Sequence, residues 1–314
     1  MIVRMDIFLN KEHGRIKHSF LYQVKSGTKK TINIVNAGHS PYSKGWTCYA
    51  PFESVDQKHW TRLKPGRFDG RSFVFEISDQ AKYVCWFPPY NIQQMMKICA
   101  SFQKAGNDAF FMGNTKNPTL IFLAGQHPAE TMGLYFLEGI LKAARSNKNF
   151  FKHLSILVFP YINKQGMQHQ NHRLTPNGTD LNRDWKNPCN PILNSVKKAI
   201  QPFSNILAVI DIHGDEVSSK DYVIYNKNFK GTNLEKCCRE QEFLLLKKQN
   251  FWKKCIKALI QQKRIPTLFG KTARDYFEKK DIPAITIELS ASKNTPESCL
   301  QKGKSFVDKL LSLK

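Results

Sequence analysis

Two hydrophobic rhythms meet near residue 90. Up to about Tyr90, short segments rich in β-branched and aromatic residues (MDIFL, SFLYQV, TINIVN, GWTCYA, RSFVFEI, KYVCWF) alternate with turn clusters such as KSGTKK, AGHSPYSKG and KPGRFDG. Strand and turn signals in that succession predict an all-β, sandwich-like domain over residues 1–90. After Pro88 and Pro89 the period becomes helical, and NIQQMMKICASFQKA places Ile92, Met95, Met96, Cys99 and Phe102 along one side. Then TLIFLAG, LSILVFPYIN, SNILAVIDIHG and AITIELS form nearly continuous apolar runs, interspersed with helical stretches such as AETMGLYFLEGILKAAR. Strands of that kind are buried on both faces, so residues 91–314 are expected to form an α/β/α domain around a mixed central sheet. The stretch 234–263 reads as one amphipathic helix with a basic outer face.

Composition narrows the class. Hydrophobic residues make up 41% of the chain, enough for substantial cores. Lys and Arg outnumber Asp and Glu 48 to 25, a net charge of +23 that favours encounters with acidic partners. Nucleic acid is not the expected one, because no zinc-finger spacing, aromatic RNP motif or basic heptad array accompanies the charge. The eight cysteines are scattered without a CxxC pair, which points to reduced thiols. MIVRMDIFLNKEHGR holds no apolar signal core, and no segment approaches eighteen apolar residues. A cytoplasmic protein without a membrane span is therefore expected.

The chemistry lies at strand ends. His127 and Glu130, in GQHPAETMG, follow the buried run TLIFLA, with Gly125 suited to a tight turn and Pro128 to the start of a helix. His213 ends the run AVIDI, and Gly214 follows it. In open α/β sheets the carboxyl ends of strands are where ligands bind. Two His and one Glu would leave a coordination position for water, the pattern of a catalytic rather than a structural zinc. Zinc lowers the pKa of bound water from about 15.7 towards 7, and the proton then needs an acceptor. Glu288, closing the apolar strand AITIEL, meets that need.

The segments QHPAETMGLYFLEG, HRLTPNGTDLNRDW and DIHGDE together resemble the M14 zinc carboxypeptidases, particularly their cytosolic carboxypeptidase-like branch. The similarity covers residues 91 to about 290, and the preceding β region also resembles that branch's N-terminal domain. The resemblance implies that His127, Glu130 and His213 hold zinc and that Glu288 is the general base. It further implies that Arg173 polarises the scissile carbonyl and that Asn182 and Arg183 grip the terminal carboxylate. Asp180 falls where a carboxylate orients the first zinc-bound His. The implied substrate is the C-terminal tail of a peptide or protein. Arg274 would line the pocket for its last side chain and favour Glu or Asp, whereas a slip of one residue would put Asp275 there and favour Lys or Arg. One departure from the resembled family concerns a mobile tyrosine about twenty residues before the base, where this chain offers Phe269: either Tyr276 or Tyr225 compensates, or the group is dispensable, or turnover is weaker. Two further readings use the same features: a zinc amide deacylase or cell-wall peptide amidase, and a silent binder of acidic tails.

Overall fold

The computed structural model describes residues 3–25, 27, 30–147, 149–247 and 272–312. Its β-rich N-terminal region contains two four-stranded sheets. One runs Val3–Ile7, Lys30–Ile34, Phe73–Ile77, Arg67–Phe68, and the other Leu21–Gln23, Tyr83–Cys85, Phe52–Ser54, Thr61–Arg62. Alternation drives this packing: Phe73, Phe75 and Ile77 point inwards and meet Ile32, Ile34, Phe52 and Val84 in one hydrophobic cluster. GWTCYA, expected as a strand, instead contains the end of a 3-10 helix, Ser43–Trp46. Trp46 explains the difference, because its Nε1–H donates back to Ala37 O and Ser40 Oγ, which fastens a compact turn rather than an extended segment.

Beyond Pro89 the helix Ile92–Cys99 forms with Asn91 as its cap, and the chain then turns at Phe102 into an edge strand, Gln103–Gly106. The predicted helical pattern through Ala105 therefore ends earlier than expected. The stretch 234–263 also divides: a helix covers Asn233–Glu240, a strand covers Leu244–Lys247, and the remainder from Lys248 lies outside the described residues.

An eight-stranded mixed sheet organises the rest. Its order is Gln103–Gly106, Ala109–Met112, Ser155–Phe159, Thr119–Ala124, Ile206–Asp215, Ala284–Ser290, Tyr222–Tyr225, Leu244–Lys247. The four central strands are mutually parallel, and their apolar runs serve two cores at once. On Thr119–Ala124, Leu120, Phe122 and Ala124 face one core, while Ile121 and Leu123 face the other. The helices Met132–Ser146 and Pro296–Ser312 cover the first face, and Pro191–Ile200 and Ala273–Glu278 the second. Period-two alternation then decides which polar residues share a side. Because Ile210, Ile212, Ile285 and Ile287 belong to the first core, Asp211, His213, Thr286 and Glu288 stand together on the second side, at the carboxyl ends of paired strands.

The N-terminal region grips this sheet directly. Arg62 stacks over Phe52 and donates to the carbonyls of Ala291, Ser292 and Asn294, just beyond the strand that ends near Glu288. Helix Met132–Ser146 meets Pro296–Ser312 through glycines, and a Cβ on Gly139 would stand 2.1 Å from Leu300 O. Gly139→Ala should therefore destabilise the protein by about 1–3 kcal/mol despite alanine's better helix propensity. Urea unfolding would measure this, and a neutral or stabilising result would contradict the close packing.

Candidate metal centre and active site

Gly125 takes φ +67°, which ends the Thr119–Ala124 strand in a turn that a side chain would strain. Gln126, His127 and Glu130 follow in that turn, and Thr131 precedes the helix, which begins only at Met132. His127 and Glu130 thus stand ahead of the helix rather than across its first turn, and the Ala129 N–H donates to His172 O to fix the loop.

Glu130 is the centre of the group. One carboxylate oxygen lies 2.7 Å from His127 Nδ1 and the other 2.7 Å from His213 Nδ1, while the two Nδ1 atoms are 3.2 Å apart. The ligand atoms of His127, Glu130 and His213 all fall within 4.8 Å of one another, and all three residues are buried. The far side of each ring meets a carboxylate: His127 Nε2 is 3.1 Å from Asp180 Oδ1, and His213 Nε2 is 3.2 Å from Asp211 Oδ2. A ring proton held at each Nε2 leaves both Nδ1 lone pairs aimed at the same carboxylate. Only positive charge resolves that crowding. Burial disfavours a charged imidazole, yet the Asp211 and Glu130 carboxylates hold His213 well above its usual range. Burial likewise opposes a charged Glu130, but His127 and His213 hold it well below the usual carboxylate range. The donor set fits a divalent cation.

Glu288 neighbours His213 in register across the parallel pair. Burial pushes its carboxyl well above the usual range, His213 opposes that, and the carboxylates of Glu130, Asp215 and Asp211 add to it. A cation held by His127, Glu130 and His213 would draw Glu288 back towards ionisation.

Arginines surround this acid cluster. Arg173 Nε donates to Asp180 Oδ2 at 2.7 Å, and Nη1 donates to Tyr42 Oη at 3.0 Å and lies 3.9 Å from Glu130. Although burial opposes its charge, Tyr42, Asp180 and Glu130 keep Arg173 firmly protonated. Arg183 donates to Asn182 O, and burial and the charge of Arg173 lower its pKa. Asn182 lies 3.1 Å from His213 Nε2 through Nδ2 and accepts from the Ala273 N–H. Arg274 is 3% exposed and donates to Thr286 Oγ1 at 2.9 Å, while its Nε finds no hydrogen-bond partner among the described residues. Its pKa is lowered by burial, against the attraction of Asp275, Asp211 and Glu288. The Asp275 side chain turns back onto its own helix start in a capping box with Thr272. Arg274, not Asp275, is thus the member of that pair on Thr286.

The tyrosine substitutes are elsewhere. Tyr276 packs on Trp185 with Lys197 and Lys280 over its ring, Tyr225 packs on Phe229, and Phe269 lies outside the described residues. His172, in the polar stretch before Arg173, is buried against His18, Tyr42 and Trp86 and lies 3.4 Å from Glu216. Asp211 was absent from the sequence reading, although its position two residues before His213 on one strand carries the signal. Gln126 completes that support by donating to Asp211 Oδ1 at 2.7 Å and accepting from Trp185 Nε1 at 2.8 Å.

Residues 3–88 match a family described as the cytosolic carboxypeptidase N-terminal domain. Along the longer sequence, cytosolic carboxypeptidase 6 of Mus musculus is 25% identical over 257 residues, covering 65% of this chain and 47% of the mouse protein. An uncharacterised protein of Zymomonas mobilis is 24% identical over 223 residues, covering 63% of this chain and 58% of its own. The chain thus resembles the cytosolic carboxypeptidases, through a family-model match over its N-terminal region and through weaker identity along the rest. It spans about half the length of the curated relatives it matches. The fold agrees: a metallo-carboxypeptidase from Burkholderia cenocepacia superposes with a TM-score of 0.81 at 19% identity, covering 99% of this chain and 92% of that one. A metallo-carboxypeptidase from Pseudomonas aeruginosa, solved with (2-guanidinoethylmercapto)succinic acid, gives 0.78 at 19% identity, covering 99% and 93%. Among the described residues, no helix is long and apolar enough to cross a membrane. Within this carboxypeptidase-like centre Asp211 has a measurable task. Asp211→Asn should weaken metal binding by roughly 10–100-fold, as loss of such supporting carboxylates does. Competition with a chromophoric chelator would read this, and unchanged affinity would remove Asp211 from the metal's support.

Proposed function

We propose that the chain is a zinc-dependent metallocarboxypeptidase that works in the cytoplasm and removes C-terminal residues, acidic ones preferentially, from peptides or protein tails. The observation that carries this reading is the meeting of the His127–Glu130–His213 group with Glu288 on the adjoining strand and three arginines around them. Zinc bound by His127, Glu130 and His213 would supply Lewis acidity and a water acidified enough to react near neutrality.

The protein's own groups do the rest. Glu288 accepts the proton of the attacking water and passes it to the leaving amine, which requires one carboxylate to change role within a single turnover. Arg173, fixed by Asp180 and kept charged, polarises the scissile carbonyl and stabilises the oxyanion. Arg183, with Asn182, takes the terminal carboxylate, for which a planar guanidinium fork is suited. Arg274 is buried, and as the residue that meets the last side chain its cation, with a donor unused among the described residues, would favour Glu or Asp. The net charge of +23 favours the approach of acidic tails. The β-rich first 90 residues act as a domain that shapes access to residues 91–314.

A peptide panel ending in Glu, Asp, Lys, Leu, D-Ala or diaminopimelate, followed by mass spectrometry with zinc-loaded protein, tests the reading. The expected product is the peptide shortened by one residue, fastest for Glu and Asp, with all trimming lost in chelator and restored by zinc. Glu288→Gln should retain zinc and lose turnover, and Arg274→Leu should reduce the preference for acidic ends at least about tenfold. Internal or acyl cleavage, chelator-resistant trimming, or wild-type rates in Glu288→Gln would contradict it.

A further inference from the structure

Arg173 belongs to a polar stretch with little regular structure of its own, between the short helix Lys164–Gln168 and the 3-10 turn Leu181–Arg183. Its placement comes largely from the N-terminal region. The buried carboxylate of Glu12, in the small Lys11–Glu12/Arg15–Ile16 hairpin, accepts the Arg173 N–H at 3.2–3.3 Å and the Leu174 N–H at 2.9 Å. Lys17 adds a third tie, donating to Gln170 O at 2.8 Å. At the other end of the side chain, Tyr42 Oη accepts from Arg173 Nη1 at 3.0 Å. Asp180 holds Nε, so two edges of the guanidinium are fixed, and Nη2 makes no hydrogen bond among the described residues.

Tyr42 is itself rigidly mounted. It precedes the Ser43–Trp46 turn, where Gly45 approaches so closely that a Cβ would stand 2.3 Å from the Glu216 carbonyl oxygen. Trp46 stacks on His18 with centroids 4.1 Å apart, and the Tyr42 ring packs against His18 and His172 at 6.1 and 6.0 Å. Burial pushes the Tyr42 hydroxyl up to about 12, so it remains neutral at working pH. A neutral acceptor orients Arg173 without cancelling its charge, whereas another carboxylate at that place would draw the guanidinium away from a substrate oxygen.

We propose that Tyr42, supported by Glu12, is a positioning residue for Arg173, so that the N-terminal region sets the geometry of the group that meets the substrate carbonyl. This deepens the carboxypeptidase reading and rests on it for its kinetic consequence, while the contact itself can be tested separately. The direct measurement is rotation of the Arg173 guanidinium about its Nε–Cζ bond, followed by NMR in the zinc-loaded protein. Rotation should be slow in the wild type and at least about tenfold faster in Tyr42→Phe, which removes only the hydroxyl. Equal rotation in the two proteins overturns the proposal whether or not the protein trims peptides. An inactive wild type with faster rotation in the variant would instead discard the carboxypeptidase reading alone.

With a trimmed peptide in hand, Tyr42→Phe should lower kcat by about tenfold, below the roughly 10²–10³ of losing an oxyanion donor outright. KM, zinc content and melting temperature should remain close to wild type. In an Arg173→Ala background the same substitution should cost nothing more, because its target is gone. A loss that multiplies in full in that background, or an unchanged kcat, would assign Tyr42 to packing instead. Glu12→Gln, which keeps the side chain's size, should move rotation and kcat in the same direction.

Discussion

A single carboxylate between two imidazoles sets the terms for the rest of the centre. Glu130 presents one oxygen to each Nδ1, and Asp180 and Asp211 occupy the opposite nitrogens, so the lone pairs converge where only positive charge is tolerable. That convergence needs residues from one strand end and one turn to be held within a few tenths of an ångström. The parallel strands provide it, because Thr119–Ala124 and Ile206–Asp215 are paired and both are buried on two faces.

Electrostatics then tie the surrounding groups together. Glu288 is driven towards its neutral form by burial and by neighbouring carboxylates, and a cation at the centre reverses that pressure. Arg173 bridges the acidic cluster to the N-terminal region, linking Asp180 on one edge to Tyr42 on another. Arg62 makes a second bridge, to the carbonyls that follow the Glu288 strand. The β-rich region therefore meets the centre at Arg173 and holds the segment after the Glu288 strand through Arg62.

Much of this was legible in the chain itself, and the failures have physical causes. Runs such as TLIFLA and AVIDI announce strands buried on both faces, and the candidates His127, His213 and Glu288 stand out because each lies at or just after the end of such a run, with Glu130 in the turn that follows the first. GWTCYA failed because Trp46 finds its partners within its own turn, a tertiary preference that overrides strand propensity. The helical pattern through Ala105 failed because an edge strand was available to Gln103–Gly106 beside Ala109–Met112. Asp211 was visible in principle, two residues before His213. Tyr42 was not, since Arg173 is 131 positions away and nothing near Tyr42 marks it as polar machinery.

The central claim is that His127, Glu130 and His213 form one cation site whose integrity depends on the shared carboxylate. Calorimetric titration of metal-free protein with zinc addresses it most directly. The account predicts one tight equivalent in the wild type and its loss in Glu130→Ala, with both proteins folded by circular dichroism. No binding by the wild type, or equally tight binding after Glu130→Ala, would contradict it.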